Sequence, residues 1–187
     1  MKASNKIPLD KFVPHKSDVI MFDSNILIKL LYPVMDNTSY SAAYGNLYAK
    51  ILEVGATLII SSIQISEFVN TCIRFQFELY KRAQNDPRLK FKADYRNTKD
   101  YDKSMRAILD IIKNDIIPNF SFIDDGFKDM RKGNIFCYGF SYDFNDSILL
   151  EIAKQNNSIL VTDDRDFGNY ISDVKIVTNN KTLLMFS

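Results

Sequence analysis

Asp143 to Phe167, DFNDSILLEIAKQNNSILVTDDRDF, is the stretch whose reading decides the fold. Ile148, Leu149, Ile152 and Ala153 recur at helical spacing. Asp143, Asn145 or Asp146 can cap the start of that helix, where an acid also meets the positive end of the helix dipole. Asn156-Asn157 breaks the pattern. Ser158 to Val161 is then a short apolar run of buried-strand character, and it ends in Thr162-Asp163-Asp164-Arg165-Asp166. A helix that begins with acids therefore leads to a strand that ends in acids. In an open parallel sheet, ligands bind at the carboxyl ends of the strands.

Outward from this stretch the same alternation recurs. Asp18 to Phe22 predicts a first buried strand, followed by Asp23-Ser24-Asn25 and a helix that Pro33 stops. Asp23 or Ser24 can be no more than an N-cap there, or Asp23 can be a carboxylate at a strand's end. Ser39 to Val54 predicts a helix closed by Gly55, and Thr57 to Ser61 a second strand. A long helix begins near Ser62 and carries Glu67 in its second turn, where a solvated glutamate would be unremarked. Further strands are expected at 119–123, 174–177 and 183–186, and a helix at 101–117. Strands alternating with helices predict a three-layer α/β/α fold with a central parallel sheet of four to five strands. Residues 1–17 are expected to be an N-terminal arm and 18–187 a single domain.

Between residues 81 and 113, ten Lys and Arg stand against five Asp, interleaved with Phe91, Tyr95 and Tyr101 and preceded by Tyr80. Bases can stack on such aromatics while the cations meet phosphates. The plainer reading is a solvated helical hairpin that covers core. Phe136, Tyr138, Phe140 and Tyr142 alternate like an edge ribbon with one aromatic face, or a groove for RNA or a partner segment.

Composition narrows the chemistry. The chain has 187 residues, a net charge of +1 and two cysteines, Cys72 and Cys137, outside any pair motif. There is no bulk pull toward polyanions. The cysteine usage fits a reducing, cytoplasmic setting rather than a disulfide scaffold. Neither a membrane-spanning run nor a signal-peptide core is evident. His15 is the sole histidine, which excludes a His-rich zinc site and a core-histidine triad. A metal here must be held by oxygen, which points to Mg²⁺ or Mn²⁺. A haloacid-dehalogenase-like phosphatase would want a second Asp where Asn25 stands. A calcium loop from Asp143 lacks its Gly at Ile148 and its Glu at Lys154.

Four blocks together resemble the PIN domain, a metal-dependent nuclease fold that includes the VapC-like toxins. Phe22-Asp23-Ser24-Asn25 resembles the family's opening D-[ST]-N motif. Ser62-Ile63-Gln64-Ile65-Ser66-Glu67 resembles the block that sets a glutamate on a helix. Asp146 to Ala153 resembles the third motif, and Leu160-Val161-Thr162-Asp163-Asp164-Arg165-Asp166-Phe167 the final L-V-T-x-D-x-D-F block. The eighteen residues from Asp146 to Asp164 fit the family's spacing. The resemblance implies catalytic acids at Asp23, Glu67, Asp146 and Asp164, with Mg²⁺ or Mn²⁺ held by Asp23, Asp146 and Asp164 and, as in some members, by Asp166. It implies supporting roles for Asn25 and Thr162. The activity it implies is endoribonuclease cleavage of single-stranded RNA, with the toxin of a type II toxin–antitoxin module as one setting. The partners then expected are RNA, an antitoxin protein and a second copy in a homodimer, and no membrane. The alternatives are a PIN-like RNA-binding or scaffold module without catalysis, and a Mg²⁺-dependent phosphatase. The region between Glu67 and Asp146 is enlarged, chiefly at 80–135, relative to the family's small toxins.

Overall fold

A computed structural model describes residues 5–32, 39–136, 143–169 and 172–185. Six parallel strands form one sheet in the order β1-β6-β5-β2-β3-β4. They are β1 (Lys6–Pro8), β2 (Val19–Phe22), β3 (Thr57–Ser61), β4 (Ser121–Ile123), β5 (Ile159–Val161) and β6 (Ile176–Thr178). The helices are α1 (Ser24–Leu31), α2 (Ser39–Val54), α3 (Ser62–Ala83), α4 (Lys99–Ile111), α5 (Lys132–Ile135), α6 (Phe144–Gln155) and α7 (Lys181–Met185).

The strand side chains sort onto two faces with period two. Ile20, Phe22, Leu58, Ile60, Ile159, Val161 and Val177 face one core, with Ile26 and Leu27 of α1, Tyr44 and Ile51 of α2, and Phe68 and Cys72 of α3. Met21, Ile59, Leu160 and Ile176 face the other, with Ile148, Leu149 and Ile152 of α6, Phe167, and Leu183 of α7. Covering on both faces explains why the strands read as continuous apolar runs rather than alternating ones. The expected three-layer α/β/α architecture is therefore the one observed.

Left-handed residues end the helices that feed the central strands. Gly55 (φ 67°) closes α2: its N–H bonds to Leu52 and the Ala56 N–H to Ile51, and β3 follows at once. Asn157 (φ 48°) does the same for α6, with Ser158 N–H on the Ala153 carbonyl at 2.9 Å.

Two expectations change, and one open choice is decided. Among the described residues the sheet has six strands rather than four to five, because Lys6–Pro8 pairs with β6 and Ser121–Ile123 pairs with β3. The strand expected at 183–186 is helical at Leu183 to Met185, because the Asn180 Oδ1 accepts from the N–H groups of Thr182 and Leu183 and caps α7. The hairpin aromatics are not an exposed stacking platform. Phe77, Tyr80, Phe91, Tyr95 and Tyr101 pack ring against ring, with centroids 4.9–6.1 Å apart, and Tyr95 is fully buried. Their cations stay on the surface around them, which is the plainer reading of that stretch. Of the aromatic ribbon, residues 137–142 lie outside the described set. Phe136 rests against Phe144, centroids 5.9 Å apart.

Candidate metal centre

The chain leaves β2 toward β3 and β4 on one side, then returns to build β5 and β6 on the other. The reversal lies between β2 and β5, which are paired with Phe22 opposite Val161. A crevice opens at such a reversal, at the carboxyl ends of its strands. Asp23 follows β2 directly, and its N–H donates to the Val161 carbonyl at 2.9 Å. Thr162 and Asp164 follow β5.

Asp23 occupies the N-cap position of α1, and from that helix its carboxylate feels only the main-chain N–H of Asn25. Its carbonyl receives the N–H groups of Ile26 and Leu27, and its carboxylate, in a residue only 4% exposed, turns to other partners. The Thr162 hydroxyl donates to Asp23 Oδ2 at 2.7 Å and accepts the Asp164 N–H at 2.9 Å. Asp164 Oδ1 accepts the Asp166 N–H at 2.9 Å. One fully buried threonine thus locks the two strand-end acids into a fixed relation. Across β3, Ser24 Oγ donates to Glu67 Oε2 at 3.0 Å, which ties the second turn of α3 to the first of α1. Gln64 sets the start of α3: its Oε1 takes the Ser61 N–H, and its Nε2 reaches the Phe22 carbonyl just before Asp23.

Asp143 and Asp146 divide their tasks as the helix start demands. Asp143 is the N-cap of α6, accepting the Asn145 N–H at 2.8 Å. Asp146, one turn on, is half-buried and is left to face the other acids. Burial pushes Asp146 up to about 8, and the charges of Asp23, Asp164, Asp143 and Glu67 push in the same direction. Burial pushes Asp23 up to about 6. The Thr162 hydrogen bond opposes this, while the charges of Glu67 and Asp164 add to it.

The residues expected from sequence at Asp23, Glu67, Asp146 and Asp164 are thus gathered within electrostatic reach of one another. Among the described residues no three His, Cys, Asp or Glu side chains close on one point at metal-binding spacing. The acids feel each other's charge while standing apart. Hard oxygen donors, two of which, Asp23 and Asp146, keep their protons through burial and neighbouring charge, are a donor set that a divalent cation fits. Cys72 offers no alternative: it is buried in the core, and burial pushes its thiol up to about 12.

Two expected residues tie into the site through their main chains. Asn25 is exposed, and it supports Asp23 through its main-chain N–H rather than its amide. Asp166 holds Asp164 through its own N–H, and its carboxylate is not among the charges that shift Asp23 or Asp146. In the sequence Lys29 and Tyr44 carry no expected role, and the contacts of Ser24 with Glu67 and of Gln64 with Phe22 are not foreseen. The Ser61-x-x-Gln64 pattern is a legible capping box. Nothing in the sequence marks the other pair: Lys29 meets Asp163 Oδ2 at 3.0 Å, and the Tyr44 hydroxyl donates to Asp163 Oδ1. That pairing fixes the acidic turn after β5 to α1 and α2.

A family model described as the PIN domain matches residues 20–171. Among solved structures, the chain is similar to the crystal structure of VapBC2 from Rickettsia felis bound to a DNA fragment from their promoter. The TM-score is 0.46 and the identity 18%, covering 86% of this chain and 98% of that one. Comparison with curated proteins gives no match. Among the described residues no helix is long and apolar enough to cross a membrane.

Proposed function

The chain belongs to the PIN domain family, whose members are generally metal-dependent nucleases, and we propose that it is a Mg²⁺- or Mn²⁺-dependent endoribonuclease acting on single-stranded RNA. The observation that carries this reading is the pair Asp23 and Asp146, both raised by burial and by neighbouring acids at the sheet's reversal point. Such a pair is costly to the fold and useful to a phosphodiester cation site.

In this reading Asp23, Asp146 and Asp164 hold the cation. When bound there, it supplies a lowered water pKa and an offset to charge that develops on the phosphate. Thr162 keeps Asp23 and Asp164 at a fixed separation. Asp166 serves the site through the N–H that orients Asp164. Glu67 has Oε2 occupied by Ser24, and its other oxygen accepts a proton from the attacking water. No histidine or covalent nucleophile is needed. A place as the toxin of a toxin–antitoxin module, with an antitoxin protein and a second copy as partners, extends the same proposal. So does an N-terminal arm at 1–17 on a single nuclease domain at 18–187.

The test is cleavage of a mixed single-stranded RNA panel in Mg²⁺, in Mn²⁺ and in EDTA. A folded Asp23→Asn/Asp146→Asn protein runs alongside. Metal-dependent cleavage lost in the control is expected. RNA binding without cleavage in any metal would instead favour a silent binding module, and release of phosphate from small monoesters a phosphatase.

A further inference from the structure

Beside the acids lies an open cleft of about 410 Å³ lined by Asn25, Lys29, Asp163, Asp164, Arg165 and Asn180. Asp164 is common to this cleft and to the acid cluster, so whatever occupies the cleft is continuous with the site. The volume falls in the range of small-ligand pockets and suits one nucleoside.

Its lining divides into a rigid wall and two uncommitted groups. Lys29 pairs with Asp163, which is also held by Tyr44. Asn180 donates from Nδ2 to the Asp163 carbonyl at 2.6 Å and spends Oδ1 on the start of α7. These side chains brace the cleft. Asn25 is exposed, and its amide makes no hydrogen bond among the described residues, its tie to Asp23 running through the main chain. Arg165 has a side chain 76% exposed and only a loose contact, 3.7 Å, with Asp166. Such a contact is readily exchanged for a phosphate.

A phosphate chain approaching four acids is repelled unless a cation meets a neighbouring phosphate. An unstacked base presents donors and acceptors along its edges. A carboxamide offers one of each and can pair with such an edge in two places. Resting on the nuclease reading above, we propose that this cleft is the subsite for one nucleotide of single-stranded RNA next to the scissile bond. Arg165 meets that nucleotide's phosphate and Asn25 its base edge. None of the lining residues is aromatic, so selection among bases comes from the Asn25 amide rather than from stacking.

The experiment maps cleavage sites in a randomised single-stranded RNA library with Mn²⁺, for the unaltered chain, Asn25→Ala and Arg165→Gln. Circular dichroism confirms that each is folded. The unaltered chain should show a base preference at one position flanking the cut. Asn25→Ala should flatten that preference about tenfold. Arg165→Gln should raise KM about tenfold with kcat little changed. Unchanged cut-site profiles and unchanged KM in both variants would overturn the subsite while leaving the nuclease standing. Should the unaltered chain cut nothing, the nuclease reading fails. Equilibrium binding of the same library then decides the subsite: tenfold weaker binding in either variant supports it, and equal binding overturns it.

Discussion

Replacing Asp146 by Asn should make the metal-free protein more stable at pH 8 while it abolishes cleavage. The folded chain holds the Asp146 proton up to about 8, against an ordinary value of 3.8. Because the folded value is the higher one, the folded state binds the proton more tightly than the unfolded state. Stability from this group is therefore fully present below about 3.8 and is lost as pH rises toward 8. At ~1.36 kcal/mol per pH unit the gap corresponds to a ceiling of about 5 kcal/mol at pH 8. Asp146 is partly open to water, and screening reduces the usable figure to about 1–2 kcal/mol. Asparagine keeps the shape and removes the charge. In EDTA at pH 8 the variant should melt about 4 °C higher, given ~2–4 °C per kcal/mol for a chain of this size. At pH 5, where the carboxyl is protonated in the folded state but ionised in the unfolded one, the gap should shrink to about a third of its pH 8 size, and it should close only below about 3.8. Thermal unfolding followed by circular dichroism at low salt measures both. Adding Mn²⁺ should reverse the order, because a ligand at a hundred times its Kd adds about 2.7 kcal/mol to the protein that binds it. A variant less stable than the unaltered chain in EDTA at pH 8, or a gap equal at pH 5 and pH 8, would refute the picture of a carboxylate held among repelling acids.

Other perturbations separate the site from its scaffold. Mn²⁺ affinity should rise about tenfold per pH unit from pH 6 to 8, with proton release, as Asp23 and Asp146 give up the protons that burial and neighbouring charge retain. Calorimetry in buffers of different ionisation enthalpy measures it, and a pH-independent affinity would count against both groups as ligands. Gln64→Ala strands the Phe22 carbonyl and the Ser61 N–H, both buried, and should lower the urea-derived stability by about 3 kcal/mol. Tyr44→Phe should cost about 1–3 kcal/mol, because its hydroxyl donates to Asp163 and accepts the Asn179 N–H at 2.9 Å. Asn180→Ala removes the cap of α7 and should cost about 1 kcal/mol in the same titration.

The sequence makes the acids legible because each stands at a punctuation point of the chain. Asp23 and Asp164 follow apolar runs of buried-strand character, and Asp146 opens a helix whose apolar positions repeat cleanly. Parallel pairing then brings strand ends together without any further information. What stayed hidden depended on contacts between distant segments. Lys6–Pro8 carries no periodicity in three residues, and it becomes a strand only because β6 offers an unpaired edge. Leu183 to Phe186 is too short for its apolar run to distinguish strand from helix, and the Asn180 side chain decides. The aromatic and basic hairpin has the same composition whether its rings face solvent or one another. The choice is made by α3 extending to Ala83 and giving Phe77 and Tyr80 somewhere to pack.

The distribution of hydrogen bonds around the acids carries one more step. Asp163, adjacent to Asp164, receives Lys29 and Tyr44, and it is the acid here with a fixed cation. Asp23 receives a single neutral hydroxyl and Glu67 another. Asp146 is surrounded by charges of its own sign. The acids are thus treated in opposite ways: the structural one is paired with a cation by the protein itself, and those facing the crevice are oriented by neutral donors and given no cation. A fold selected only for stability would gain from pairing the second group as it pairs the first. Leaving them unpaired at the one point where the sheet reverses is a standing cost, and a cation brought in from solution removes it. That link predicts coupling between stability and metal in this protein, with cleavage requiring the same carboxylates that metal-free folding tolerates least.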